Sequence, residues 1–399
     1  MKILFMNNLL PYPLDNGGKI KTYNTLKALS VKHEIDLLAF INHEEDRKYV
    51  TELSGVCRKI HVIPKTVIKD ASMLHFIIDY VSSLFSPLPY VIKKFSSKVM
   101  KEKLIQFQQE KHYDLIYVNH LSMMVYNKYF HSKVLLDQQN VESLIFKRII
   151  GQMKNKVKRL FGKVEYVKLK KFEKDMLYRA DRVIALSQTD KNEFVNMLSK
   201  TRKQIDVIPI HVDAPFLDFY PRKDNKIRLL FMGTMSWYPN KEGVIWFLKN
   251  CFLNLNPDKY DLYICGANPP REIEKYRDKK NVTVTGYVKD INEYIRICDL
   301  AIVPLFIGSG QRVKIIESFA KGLPVVSTSI GAEGLITDQQ NILIADQPDT
   351  FLKSIKLLAT HPELRQKIKR NARTVYEQYY SNASLSRALN KVFLDMGVQ

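Results

Sequence analysis

LAIVPLFIGSGQRVKIIESFAKGLPVVST, residues 300–328, reads as strand, turn, helix and strand in close succession. Residues 300–305 are an apolar run with the length and character of a buried parallel strand. Gly308-Ser309-Gly310 supplies a turn, after which Val313, Ile316, Phe319 and Ala320 recur at helical spacing. Gly322 stops that helix, and residues 323–326 form the next strand. The small turn residues thus lie between a strand's carboxyl end and a helix's amino end, where open α/β sheets bind ligands. Backbone N–H groups and the positive end of the helix dipole make such a junction an anion site. Arg312 and Lys314, in the first turn, oppose the dipole, and a phosphate sharing the space would explain them. The alternative is a pair of solvated basic residues on an ordinary helix.

The same alternation extends outward in both directions. Residues 1–6, 34–40, 59–64, 115–119, 133–137 and 182–187 read as short apolar strands separated mostly by helices, the pattern of a doubly wound parallel sheet. A second series starts at 227–232 and continues through 260–265 and 282–285. At 399 residues and 46% hydrophobic content, the chain is long enough for two or three domains with substantial cores. No run of about 18 uncharged apolar residues is present, so no membrane span is expected. MKILFMNNLLPYP lacks the apolar core and small-residue cleavage site of a secretion signal and reads as a strand and its turn. Cys57, Cys251, Cys265 and Cys298 have no paired spacing, which argues against zinc and disulfides and for a reducing cytoplasm.

The net charge of +21 implies anionic partners: nucleic acid, acidic headgroups or phosphorylated substrates. No zinc-finger spacing, RNP-like aromatic signature or helix-turn-helix is present, so a nucleic-acid partner is not expected. The basic residues concentrate instead at 151–175, where Val157, Leu160, Phe161, Val164, Val167 and Phe172 recur at near-helical spacing among them. One reading packs that apolar face on its own domain. The other, favoured by the excess charge, is peripheral contact with an anionic membrane surface. Residues 71–99 are aromatic and apolar, and fit either a packed helix or an element that guides an acceptor or touches a membrane.

Three further places carry candidate chemistry. Gly17-Gly18 precedes a helix bearing Ile20, Tyr23, Leu26 and Leu29, and permits close approach of a ligand without matching the GxGxxG pattern. His120 follows the strand 115–118 and is able to pass a proton near neutral pH. Asp137, Asn140 and Glu142 follow the next strand and should project from the same sheet edge.

The 300–328 stretch resembles the donor-binding segment of family-4 glycosyltransferases, retaining enzymes of the GT-B fold that use nucleotide sugars. Gly308, Ser309, Gly310, Arg312, Lys314 and Glu317 occupy the positions that hold the donor's diphosphate, sugar and ribose in that family. Many members place a second glutamate eight residues before the first, where this chain has Ser309. The branch with G-S-G before R-x-K is the one it resembles. The resemblance also implies donor contacts for Gly233 and Thr234, for Gly266, for backbone at Val288 and for Gly17 and Gly18. It places His120 near the reacting sugar, with Asp137, Asn140 and Glu142 as supporting or acceptor-side residues. Where the family commonly reads V-P-N-G-V-D, residues 207–213 have Ile210-His211 in place of Asn-Gly, and the usual basic residue near Gly233 is absent, with Trp237 nearby.

The expected architecture is therefore α/β, two facing Rossmann-like doubly wound domains with a deep cleft between them. The domains are an acceptor-binding domain at 1–213, a linker at 214–225, a donor-binding domain at 226–375, and a last helix at 376–399 that returns to the first domain. The expected activity is transfer of a sugar from a nucleotide diphosphate sugar to a hydroxyl of a saccharide or lipid-linked saccharide, without metal or cofactor. The resemblance implies retention of configuration. The expected place is cytoplasmic, on the inner face of the membrane. A non-catalytic polysaccharide-assembly or membrane scaffold of the same fold, or a nucleotide-sugar epimerase, are the alternatives.

Overall fold

The computed structural model describes residues 1–65, 83, 86–153, 155–199, 203–308 and 310–398. Ser309 and most of the aromatic stretch at 71–99 lie outside these residues. The chain divides into two compact units, Met1–Ile210 with Leu385–Gln399, and His211–Ser384.

The first unit holds a seven-stranded sheet: β1 (Lys2–Asn7), β2 (Glu34–Ile41), β3 (Lys59–Pro64), β4 (Leu115–Asn119), β5 (Lys133–Asp137), β6 (Arg182–Ala185) and β7 (Ile205–Val207). The order is β3-β2-β1-β4-β5-β6-β7 and every pairing is parallel. Its helices are α1 (Gly17–Ser30), α2 (Tyr90–Lys93), α3 (Lys98–Glu110), α4 (Glu142–Gln152), α5 (Lys156–Arg179) and α6 (Gln188–Met197). Both faces of the sheet are covered. Leu4, Met6, Ile116 and Val118 enter one core cluster, while Ile3, Phe5, Leu115 and Tyr117 enter the other. That alternation explains why these strands read as unbroken apolar runs.

The second unit repeats the plan with six strands, β8 (Ile227–Met232), β9 (Tyr260–Cys265), β10 (Val282–Gly286), β11 (Leu300–Val303), β12 (Val325–Ser327) and β13 (Leu343–Ile344). They lie in the order β10-β9-β8-β11-β12-β13, again all parallel. The helices continue as α7 (Tyr238–Asn250), α8 (Arg271–Glu274), α9 (Asn292–Ile297), α10 (Val313–Lys321), α11 (Pro348–Thr360), α12 (Pro362–Tyr379) and α13 (Asn382–Asp395). In both sheets the strand order reverses beside the first strand of the unit, between β1 and β4 and between β8 and β11. The loops at those two points are where ligands of such sheets gather.

The chain's connections differ in detail from the sequence reading. Residues 214–225 belong to the second unit: Ala214 and Leu217 are buried, and Leu217 N–H donates to the Lys321 carbonyl at 3.3 Å. The last stretch comprises the end of α12 and then α13, whose Leu385, Leu389, Val392 and Phe393 pack with Ile3, Phe5 and Leu37 of the first unit. The strands β7 and β13 were not read from the sequence; at 3 and 2 residues they carry no usable pattern. All four cysteines are free and buried. Among the described residues no helix is long and apolar enough to cross a membrane.

Candidate functional site

In the second unit the loops after β8 and β11 converge on two cations. Arg312 is the N-cap of α10, with extended backbone, and Lys314 is the second residue of that helix. Lys314 Nζ donates to Asn240 Oδ1 at 2.8 Å and lies 4.4 Å from the centre of the Phe231 ring. Asn240, buried at the start of α7, donates from Nδ2 to the Thr234 carbonyl at 2.7 Å, tying the β8 loop to α10. Arg312 is buried, donates from Nη1 to the Gly310 carbonyl at 3.0 Å and lies 5.7 Å from the Trp237 ring centre. Trp237, which stands near the missing basic residue, thus faces the cation of the other loop.

Two of the glycines here have positive φ, and all three are closely approached by neighbouring atoms. Gly233 has φ +146°, and a Cβ on it would come within 2.7 Å of both Lys314 Nζ and Asn240 Nδ2. Gly308 has φ +124°, and a Cβ there would lie 2.7 Å from Arg312 Nη2. A Cβ on Gly266 would overlap the Gly233 carbonyl oxygen. The backbone of both loops is therefore pressed against the cations. Removal from water lowers the Lys314 ammonium to about 7, the positive charge of Arg312 adds to the shift, and Glu317 opposes it. Glu317 remains partly exposed and pairs with Lys321 at 3.6 Å. Val288 lies farther along the same carboxyl edge, in a cavity of about 510 Å³ lined with Thr285, Tyr287, Lys289, Asp290, Glu293 and Tyr294.

The first unit's carboxyl edge holds a cavity of about 340 Å³ at the β1/β4 reversal, lined by Asn7 to Leu10, Tyr12, Asn16, Gly18, Thr22 and His120 among others. Asn16 caps α1, its Oδ1 accepting from Lys19 N–H at 3.1 Å, so Gly17 and Gly18 open the helix at the rim. A Cβ on Gly18 would sit 2.8 Å from Gln139 Oε1. Beneath the turn runs a buried polar chain. Gln139 Nε2 donates to Thr22 Oγ1 and Asn119 Oδ1, each at 3.2 Å. Asn119 Nδ2 donates to Asn7 Oδ1 and Thr22 Oγ1, each at 2.7 Å.

His120 is held at φ +79°, unusual for a residue with a side chain, and its N–H donates to the Asp137 carbonyl at 3.0 Å. Although the residue keeps some exposed surface, loss of hydration pulls its imidazole down to about 4. Asp137 partly counters that effect and Lys21 adds to it. The ring is therefore neutral around neutral pH. Asp137 does not project into open space. It is buried, paired with the Lys21 ammonium and accepting from Tyr117 Oη at 2.7 Å. Glu142 starts α4 partly buried. Burial raises its carboxyl to about 7, Glu173 adds to the shift, and Lys94 offsets it. Asn140 is partly buried at the turn between β5 and α4.

Several residues of these sites escaped sequence reasoning. The buried side of α1 is Lys21, Thr22, Asn24, Thr25, Leu26 and Leu29, whereas Ile20 and Tyr23 are only partly buried. Four polar residues on an inner face give no hydrophobic period to detect. Asn240 and Tyr117 carry no motif of their own. Among the described residues no group of three or more His, Cys, Asp or Glu is placed to hold a metal ion.

Residues 226–361, which contain the cation site, match the sequence family described as glycosyl transferases group 1. Over 410 residues the chain is 24% identical to a Klebsiella pneumoniae protein described as an uncharacterized 44.6 kDa protein in the cps region, covering 98% of this chain and 99% of that one. Among solved structures it is similar to sucrose-phosphate synthase from Thermosynechococcus elongatus, with TM-score 0.70 and 15% identity, covering 100% of this chain and 99% of that one. It is also similar to HepE of Anabaena in complex with UDP, with TM-score 0.68 and 15% identity over 99% of this chain and 100% of that one. The fold is GT-B, and these findings together support a glycosyltransferase.

Proposed function

We propose that this chain transfers a sugar from a nucleoside-diphosphate sugar to a hydroxyl of a saccharide, with retention of configuration. The observation that carries the reading is the pairing of Arg312 and Lys314 at the amino end of α10, against the glycine loops after β8 and β11. Two cations held together at the positive end of a helix dipole repel one another and the dipole; a diphosphate there relieves both. UDP in the HepE structure supports a nucleotide-sugar donor.

As the bond from the anomeric carbon to the diphosphate oxygen breaks, negative charge grows on that oxygen. Backbone N–H groups near Gly233, Thr234, Gly308 and Gly310, with Arg312 and Lys314, stabilise it without a metal. The acceptor hydroxyl adds to the same face of the anomeric carbon, and its proton passes to the departing diphosphate oxygen. Glu317 is assigned to the ribose hydroxyls, and the cavity at Val288 to the base. Gly266 sets the β9 turn that backs Gly233. In the first unit, Gly17, Gly18 and the neutral imidazole of His120 are assigned to the reacting sugar and the acceptor, with Asn140 and Glu142 in support. Asp137 is assigned to holding that loop. The acceptor is proposed to be a cell-surface or lipid-linked saccharide, which the relative in a cps region supports. An anionic membrane, met from the cytoplasmic side, is the proposed place of work.

The test is thermal denaturation with UDP, GDP, ADP, CMP and TDP, for the natural chain and for Arg312→Ala and Lys314→Ala. One nucleotide is expected to stabilise the natural chain by about 2.7 kcal/mol at a hundredfold excess over Kd, and to lose that effect in both variants. Folded protein indifferent to every nucleotide would replace this reading with a scaffold.

A further inference from the structure

Helix α5 is built inside out for a helix of a soluble domain. Its buried residues are Gly162, Glu165, Leu169, Glu173, Met176 and Leu177, so Glu165 and Glu173 face inward, while its remaining carboxylate, Asp175, is exposed toward the carboxyl end. Both buried carboxylates are used as remote helix caps. Glu173 accepts from the N–H groups of Glu142 and Ser143, at 2.9 and 3.1 Å, at the start of α4. Glu165 accepts from Tyr90 N–H at 2.6 Å at the start of α2, and from Ser83 Oγ at 3.2 Å. These bonds fix the helix's rotation about its own axis. Gly162 reinforces it, since a Cβ there would lie 3.0 Å from Ile150 Cγ1 of α4.

That rotation turns the apolar stripe outward. Val157, Leu160, Phe161, Val164 and Val167 are 63%, 64%, 38%, 43% and 64% exposed. Spaced three and four apart, they lie along one side of the helix. The sequence reading that packs this stripe on its own domain is therefore wrong for these five; Phe172 alone of the six is packed against the core. The charge around the stripe has one sign. Residues 147–174 contain two acids, Glu165 and Glu173, both buried, so every exposed charged side chain described there is Lys or Arg.

We infer that the outer face of α5 inserts its apolar stripe into an anionic lipid bilayer, with the flanking lysines and arginines against the headgroups. An exposed aliphatic stripe beside a cationic flank is the composition of an interfacial helix. Cations alone would suit nucleic acid, but five exposed apolar side chains would then stay in water. A second copy of the chain would bring the two cationic flanks together. The inference rests on the proposed membrane location of the transferase and deepens it from charge attraction to insertion at named residues.

The experiment is sedimentation of the full-length protein with phosphatidylcholine vesicles, with and without phosphatidylglycerol. Leu160→Glu/Val164→Glu is the principal variant, and both positions are exposed enough to leave folding unaffected. Thermal stabilisation by each of the five nucleotides is recorded for the same preparations. Binding is expected only with phosphatidylglycerol, and is expected to weaken roughly tenfold or more in the double variant. The emission of Leu160→Trp should shift to the blue on those vesicles. Three results would overturn insertion: no binding to anionic vesicles, binding unchanged by the two glutamates, or a dimer without lipid that the glutamates disperse. In the natural chain, nucleotide stabilisation without vesicle binding defeats this inference alone; vesicle binding without stabilisation by any of the five nucleotides defeats the proposed donor site alone.

Discussion

At the point where its strand order reverses, the first unit encloses one ammonium, Lys21, against the carboxylate of Asp137 and near the phenol of Tyr117. The second unit, at the corresponding point, gathers Arg312 and Lys314 on one helix end, where each positive charge disfavours the other. One arrangement is electrostatically complete as it stands. The other improves when an anion arrives. The same order over six parallel strands thus supports two different uses of charge. Asp137 points inward beneath the first loop, whereas Glu317, the carboxylate that acts on Lys314, is partly exposed and shared with Lys321.

The sharpest way to break this comparison is to remove one member from each side. Asp137→Ala strands the Lys21 ammonium in a buried position and should cost about 3–5 kcal/mol in urea unfolding. Lys314→Ala relieves repulsion instead, and should leave stability within about 1 kcal/mol of the natural chain or raise it. Asp137→Asn, which keeps an acceptor for Tyr117, separates lost charge from lost hydrogen bonding. Equal losses in Asp137→Ala and Lys314→Ala would mean that the second site is a structural ion network like the first.

The readability of the two sites from sequence follows the same division. The second site lies on consecutive, well-punctuated elements. The apolar run of β11, the glycines after it and the amphipathic pattern of α10 bounded by Gly322 place Arg312 and Lys314 with little ambiguity. The first site depends on polar residues that point inward. Thr22 on the buried side of α1, with Asn7 and Asn119 at the ends of β1 and β4 and Gln139 in the loop after β5, forms one chain of hydrogen bonds that no periodicity announces, and Lys21 beside it pairs with Asp137. The position and type of most strands could be read because their runs are apolar on both faces. The orientation of α5 could not, because Glu165 and Glu173 set it by capping helices far away in sequence.

Two groups that titrate near neutrality sharpen the contrast in opposite directions. Burial and the neighbouring Glu173 raise the Glu142 carboxyl to about 7 in the folded chain. A raised acid is fully tolerated below the unfolded value near 4.5 and loses stability as pH rises through 7. Glu142→Gln should therefore stabilise the protein at pH 8, by on the order of 2 kcal/mol, and have no such benefit near pH 4. Urea midpoints across pH provide the check. A constant offset would show that the carboxyl ionises as it does in water.

Lys314 has the reverse sign, and its consequence appears in binding. With its ammonium lowered to about 7, the residue is neutral in much of the protein above that pH. A depressed base contributes stability at high pH and loses it as pH falls through the folded value. A diphosphate placed at α10 favours the charged form, so binding above pH 7 must draw a proton from solvent. Nucleotide titration calorimetry at pH 8 in HEPES and in Tris should give apparent enthalpies that differ in proportion to the buffers' ionisation enthalpies, corresponding to uptake of up to about one proton. Toward pH 6 the uptake by Lys314 should fall away, leaving the nucleotide's own terminal phosphate, which titrates near pH 6, and between pH 7.5 and 8.5 affinity should weaken by as much as about tenfold per unit. Lys314→Ala should abolish the buffer dependence along with most of the affinity. Uptake that persists in that variant would assign the proton to another group and leave Lys314 a fixed cation, no different in kind from Lys21.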